Sequence, residues 1–182
     1  MPEYEWKSED VFLVHELFSP VECDEQIAFA EKIGFEEAAI NVGLGSQVVV
    51  KDVRNNDRVI VDDRGRSEEI WTRAKPFVPD VINGAMVLGC NERLRFYRYD
   101  PGQRFNWHYD GAFQRANGQR SRITYMIYLN DDFDGGETHF EDMVIRPRKG
   151  MALFFIHQIR HMGAEVLRGR KYVLRTDLMY TH

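Results

Sequence analysis

The chain has 182 residues, 43% hydrophobic and 13% aromatic, with 12 Phe and 8 Tyr; that is enough apolar material for one packed, strand-rich domain and excludes a disordered polymer. A formal net charge of -5 and a pI near 5.7 argue against a broad nucleic-acid or anionic-membrane footprint. No run approaches eighteen apolar residues, and Met1-Pro2-Glu3-Tyr4-Glu5-Trp6-Lys7 has no apolar leader core. A cytoplasmic protein with no nucleic-acid and no membrane partner is therefore expected. Cys23 and Cys90 stand alone, in no Cys-x-x-Cys unit, and read as buried thiols in a reducing compartment.

Ser19-Pro20-Val21-Glu22 predicts a helix start: Ser19 caps, Pro20 suits the first turn and Glu22 completes a capping box. Cys23, Ile27 and Ala30 recur at helical spacing and Gly34 stops the run, giving a helix over 20 to 33. Residues 40 to 66, with Asn41-Val42-Gly43-Leu44-Gly45-Ser46 and Arg54-Asn55-Asn56-Asp57-Arg58, read as a hairpin or mobile loop joining two strands. Ser67-Glu68-Glu69-Ile70-Trp71 predicts a second helix, limited by Pro76 and Pro79. Beyond it come short runs at Leu94 to Tyr99, Ile123 to Leu129, Met151 to Phe155 and Tyr172 to Tyr180, separated by Asp, Gly, Pro and Asn. Strands at this spacing after a helical part predict a mainly β, α+β fold in which a double-sheet β roll is supported by helices.

The chemistry concentrates in His108-Tyr109-Asp110, with His161, Gly169 and Lys171 further on. Side chains at i and i+2 of a strand leave the same face, so His108 and Asp110 can address one metal while Tyr109 packs behind. Two imidazoles and a carboxylate without cysteine suit a non-haem Fe(II) centre with open positions, the third ligand arriving from another strand. A His-x-Asp pair alone is weak, and its neighbourhood carries the case.

That neighbourhood runs Leu94-Arg95-Phe96-Tyr97-Arg98-Tyr99-Asp100-Pro101-Gly102 into Asp110, then Ile123 to Asn130, Gly135-Gly136-Glu137-Thr138-His139-Phe140, Pro147 to Phe154, and His161 to Tyr172. Together these blocks resemble the catalytic domain of the prolyl 4-hydroxylase family of Fe(II)/2-oxoglutarate dioxygenases over about residues 93 to 180. The resemblance implies a double-stranded β-helix, or jelly roll, at 93–182, with 1–92 as helical support and lid region of a single domain. It implies Fe(II), 2-oxoglutarate and O2, with ascorbate as an optional addition, and hydroxylation of an unactivated C–H bond. His108, Asp110 and His161 match the iron ligands. Lys171 matches the basic residue that takes the distal carboxylate of 2-oxoglutarate, Tyr99 and Tyr128 match the tyrosines of that pocket, and Thr138 lies on the ligand-facing sheet. Arg175 shares a strand face with Lys171 and is the rival for the distal carboxylate, Arg170 less so.

His157 competes with His161, but only His161 fits the downstream Gly-x-Lys spacing, which leaves His157 as a supporting or structural residue. The segment Val50 to Arg58 loosely resembles a substrate-covering loop, and a solvated turn is the competing reading. Tyr172 stands where many members have Trp, which puts the substrate in question and leaves the iron chemistry intact. Three functions follow: a hydroxylase of a peptidyl residue, prolyl 4-hydroxylase-like; a hydroxylase of a free amino acid or other small molecule; and a non-catalytic metal-binding jelly roll.

Overall fold

The computed structural model describes residues 2–38, 40–43, 46–48 and 54–182. In chain order its elements are β1 (Glu3–Ser8), β2 (Val11–His15), α1 (Pro20–Ile33), β3 (Glu36–Glu37), β4 (Ile40–Gly43), β5 (Ser46–Val48), β6 (Asp57–Asp62), α2 (Arg64–Ala74), a 3-10 turn (Lys75–Phe77), β7 (Val81–Ile82), β8 (Ala85–Cys90), β9 (Arg93–Tyr99), β10 (Phe105–His108), β11 (Arg120–Tyr128), β12 (Asp134–Gly135), β13 (Thr138–Phe140), β14 (Val144–Ile145), β15 (Ala152–Ile156), β16 (His161–Gly163), β17 (Val166–Arg168) and β18 (Lys171–Tyr180). No helix among the described residues is long and apolar enough to cross a membrane.

The α1 boundaries follow from local chemistry. Glu22 N donates to Ser19 Oγ at 3.3 Å while Ser19 N donates back to Glu22 Oε2 at 2.9 Å, and Gly34, at φ 97°, turns the chain away. The second helix begins at Arg64, three residues before the expected Ser67, because Asp63 caps it by accepting from Arg66 N at 2.9 Å.

A large antiparallel sheet runs in the order β1-β2-β15-β11-β18-β9-β6-β3, with β8 also pairing β18. A smaller sheet runs β10-β16-β13-β14. Alternation along β18 separates two cores. Leu174, Leu178 and Tyr180 face the helices and pack with Cys23, Ala30 and Ile70. Lys171 and Val173 face inward, toward Tyr97, Tyr99 and Leu153. Leu174 and Leu178 are fully buried, and each such side chain contributes on the order of 2 kcal/mol. Phe154 extends the helix-side core, stacked between Phe12 and Tyr125 at centroid distances of 4.5 and 4.3 Å.

Residues 1–92 supply more than the helical support expected of them. β1, β2, β6 and β8 all join the large sheet, and Phe12 and Val14 of β2, with Tyr4 of β1 against them, add to the helix-side core. Within 40–66, β4 pairs antiparallel with β5 and β6 joins the sheet. Residues 44, 45 and 49–53 lie outside the described residues, and with them the first part of the covering-loop expectation; of the rest, Arg54 is buried and bridges to Phe105, Asn56 is buried, and Asp57 and Arg58 open β6.

Candidate active site

The smaller sheet places the two histidines. β10 and β16 pair antiparallel with His108 opposite His161, so both rings leave the same side. His108 Nδ1 lies 2.7 Å from Asn106 O, and His161 Nδ1 lies 3.0 Å from Ile159 O. A carbonyl oxygen only accepts, so each Nδ1 carries the proton and each Nε2 keeps its lone pair. Those lone pairs face Asp110, at 3.7 Å from His108 Nε2 to Oδ1 and 3.6 Å from His161 Nε2 to Oδ2. The three ligand atoms lie within 4.8 Å of one another. Phe105 stacks on the His108 ring at 3.5 Å and Phe155 sets its edge against His161 at 4.5 Å, which removes rotational freedom from both imidazoles.

Asp110 lies just past the end of β10, so its place is not set by strand alternation. Thr124 Oγ1 donates to Oδ2 at 2.6 Å, and Arg175 Nη1 forms an ion pair with Oδ1 at 2.8 Å. Tyr109, expected to pack behind, is 62% exposed, because the chain leaves the sheet at His108.

The protonation states suit a metal. Burial, and next the neighbouring His161, pushes the His108 imidazole down to about 3, and burial likewise lowers His161. Burial pushes the Asp110 carboxyl up, but Arg175 beside it, then the two imidazoles and the Thr124 hydroxyl, hold it well below the usual carboxylate range. Two neutral nitrogens and one carboxylate are the forms a divalent metal requires, so the donor set fits Fe(II) without shedding a proton.

The cavity beside this triad is lined by Tyr99, Phe105, Met126, Thr138, Lys171 and Val173, with Arg175 in its wall. Lys171 is 2% exposed, and its Nζ donates to Gly136 O at 2.6 Å. Among the described residues no carboxylate pairs with it, and burial pushes the ammonium down to about 7. Arg175 is engaged, through Nη1 with Asp110 and through Nη2 with Asp177 Oδ1 at 3.1 Å. Arg170 faces away, to Asp100 at 2.6 Å. Tyr128 does not line the cavity; its phenol shares a 2.6 Å hydrogen bond with Thr138 Oγ1 and steadies that side chain.

His108, Asp110 and His161 are thus brought together, with Lys171, Tyr99 and Thr138 in the adjoining cavity. Sequence reasoning missed Thr124 and the bonding of Arg175. Alternation along β11 was the available signal for Thr124, since it shares a face with Met126 and Tyr128.

The family model of the 2OG-Fe(II) oxygenase superfamily matches residues 94–176, a span that holds all of these side chains. Eight curated proteins match, every one named as a prolyl 4-hydroxylase; prolyl 4-hydroxylase 1 of Arabidopsis thaliana is 25% identical over 198 residues, covering 94% of this chain and 69% of its own. Residues 94–176 therefore resemble the 2OG-Fe(II) oxygenase superfamily. The curated relatives are named as prolyl 4-hydroxylases, and the His108, Asp110 and His161 set is of the kind that holds Fe(II). Two solved structures share the jelly-roll fold at low identity. The viral collagen prolyl hydroxylase of Paramecium bursaria Chlorella virus-1, in its 2-oxoglutarate complex, has a TM-score of 0.70 at 20% identity, with 96% of this chain and 97% of that one covered. A Trichoplax adhaerens prolyl hydroxylase in complex with a hypoxia inducible factor peptide fragment also scores 0.70, at 16% identity, covering 94% and 84%.

Proposed function

We propose that this protein hydroxylates a peptidyl residue, prolyl in the first instance, with His108, Asp110 and His161 holding Fe(II) and Lys171 taking the distal carboxylate of 2-oxoglutarate. One observation carries the reading: a buried lysine that forms no ion pair among the described residues, with Glu137 acting on it only from a distance, lies in the same cavity as three preformed metal ligands. An unpaired cation at that depth is costly, and an incoming carboxylate offsets the cost through charge-assisted hydrogen bonds. Thr138 and the Tyr99 wall orient the cosubstrate beside it, while Arg175, committed to Asp110 and Asp177, stays with the metal ligand. Iron, 2-oxoglutarate and O2 together supply the oxidising power for hydroxylation of a C–H bond. The chain's share is to hold three ligands on one side of the metal, to fix the cosubstrate's direction and to keep bulk water out.

The peptidyl assignment is supported by the names of the relatives and by the peptide held in the Trichoplax structure. Anaerobic addition of Fe(II) and 2-oxoglutarate should produce a visible metal-to-ligand charge-transfer band that His108→Ala abolishes; iron bound without a band would refute the site. Succinate release measured with proline-containing peptides and with free amino acids separates the substrates. Release with free amino acids alone would overturn the peptidyl assignment and leave the metal site standing.

A further inference from the structure

Asp110 is one end of a buried chain of hydrogen bonds that begins outside the cavity. Phe113 N donates to Ser121 Oγ at 2.8 Å. Ser121 Oγ lies 2.8 Å from His157 Nε2, His157 Nδ1 lies 3.0 Å from Thr124 Oγ1, and Thr124 Oγ1 lies 2.6 Å from Asp110 Oδ2. Ser121 and Thr124 are 0% exposed, His157 is 2% exposed and the Asp110 side chain 3%. On a regular strand, residues three apart face opposite ways; the irregularity of β11 between Ser121 and Ile123 is what lets both hydroxyls meet the same imidazole.

The protons can be assigned one by one. An ionised carboxylate only accepts, so the single hydrogen of Thr124 points at Asp110. Thr124 must then accept from His157 Nδ1–H. With its proton on Nδ1, and with burial keeping the ring neutral, His157 accepts at Nε2 from the Ser121 hydroxyl. Every donor points the same way, toward Asp110. If the imidazole proton moved to Nε2, Nδ1 would become an acceptor competing for the Thr124 hydrogen, and Asp110 would lose its donor.

We propose that His157 is a positioning residue for Asp110, acting through Thr124: it holds the threonine hydrogen on Oδ2 while Arg175 holds Oδ1, so that the carboxylate plane is set toward both imidazoles before metal arrives. The inference rests on the triad being the metal centre. Supporting partners of this kind typically change metal affinity by about 10-fold to 100-fold.

The test is anaerobic titration of the full chain with Fe(II), repeated with Co(II) read by its visible absorption, with thermal melting as a control for folding. His157→Leu and Thr124→Val should each weaken metal binding by roughly tenfold or more. Because His157 acts through Thr124, the double variant should bind no more weakly than Thr124→Val alone. His157→Gln, whose amide can donate to Thr124 and accept from Ser121, should recover most of the affinity. Unchanged affinity in His157→Leu, or losses that multiply in the double variant, would overturn the proposal. If His157→Leu does not fold, His157→Phe, a ring of similar size with no donor or acceptor for Ser121 or Thr124, takes its place in the same cycle with the same two outcomes. Wild-type protein that binds neither metal would instead overturn the triad's assignment.

Discussion

Replacing Lys171 by Met should stabilise the cosubstrate-free protein while removing its grip on 2-oxoglutarate. Burial lowers the Lys171 ammonium from 10.5 to about 7, a difference of about 3.5 units at about 1.4 kcal/mol each, or about 5 kcal/mol for keeping the charge in the fold. The sign follows from proton counting. Below pH 7 both folded and unfolded chains carry the proton and the whole cost is present; between pH 7 and 10.5 only the unfolded chain carries it, so wild-type stability rises by about 1.4 kcal/mol per unit. Methionine has nothing to titrate. Its advantage is about 5 kcal/mol near pH 6 and about 2 kcal/mol near pH 9, less about 1 kcal/mol for the lost bond to Gly136 O. At about 3 °C per kcal/mol for a chain of this size, the variant should melt roughly 10 °C higher near pH 6. Thermal melts at the two pH values, paired with an anaerobic 2-oxoglutarate titration, make the measurement. A Met variant that melts below wild type near pH 6, or by the same margin at both pH values, would show that Lys171 is not held charged against its surroundings.

Three further outcomes follow from the same site and its frame. The 2-oxoglutarate affinity of the Fe(II)-loaded protein should be flat below about pH 7 and weaken above it as Lys171 loses its proton, and Lys171→Arg should flatten that slope; a pH-independent wild-type affinity would remove Lys171 from the role. Arg175→Leu should destabilise the metal-free protein by about 3 kcal/mol and move acid unfolding to higher pH: the depressed Asp110 carboxyl adds stability above its unfolded value that disappears as pH falls, and without Arg175 burial pushes that carboxyl up; an unchanged acid limb would contradict this. Gly150→Ala should be strongly destabilising, by about 3 kcal/mol or more, because Gly150 sits at φ 81° and a Cβ there would run into the Phe18 carbonyl; a melt within a degree of wild type would refute the packing.

What the sequence disclosed depended on the range of the interaction. The α1 boundaries were legible because each end is set locally: Ser19, Pro20 and Glu22 act within three residues of one another, and Gly34 bonds back to Ala30, four residues away. The α2 start was not, since Asp63 precedes Arg64-Gly65-Arg66, a poor-looking first turn that Asp63 alone rescues. β1 and β2 went unread, although Tyr4 and Trp6, then Phe12 and Val14, alternate as strand residues do. His108 and Asp110 stood out by their strand spacing, while His161 and Lys171 were picked out by the family resemblance of the blocks around them. The fate of the second cation was not: Arg175 and Lys171 share a face and residue class, and what separates them is Asp110, sixty-five positions upstream of Arg175. His157 shows the same limit, since its partners Ser121 and Thr124 meet it only through the irregularity in β11.

β18 is the link between the halves of the large sheet: β11, β15 and the N-terminal strands lie on one side of it, β9 and β6 on the other. All three iron-site ligands precede it in the chain, yet Lys171, Arg175 and Asp177 arrive only when this strand docks. A chain emerging from the ribosome would therefore carry the ligand set before it could hold it in place. Because side chains alternate, a one-residue slip during docking would turn the lysine, arginine and aspartate toward the helices and bring Leu174 and Thr176 to the iron. The charges that serve the chemistry thus also favour the correct assembly: only the register that builds the site sets Arg175 between Asp110 and Asp177.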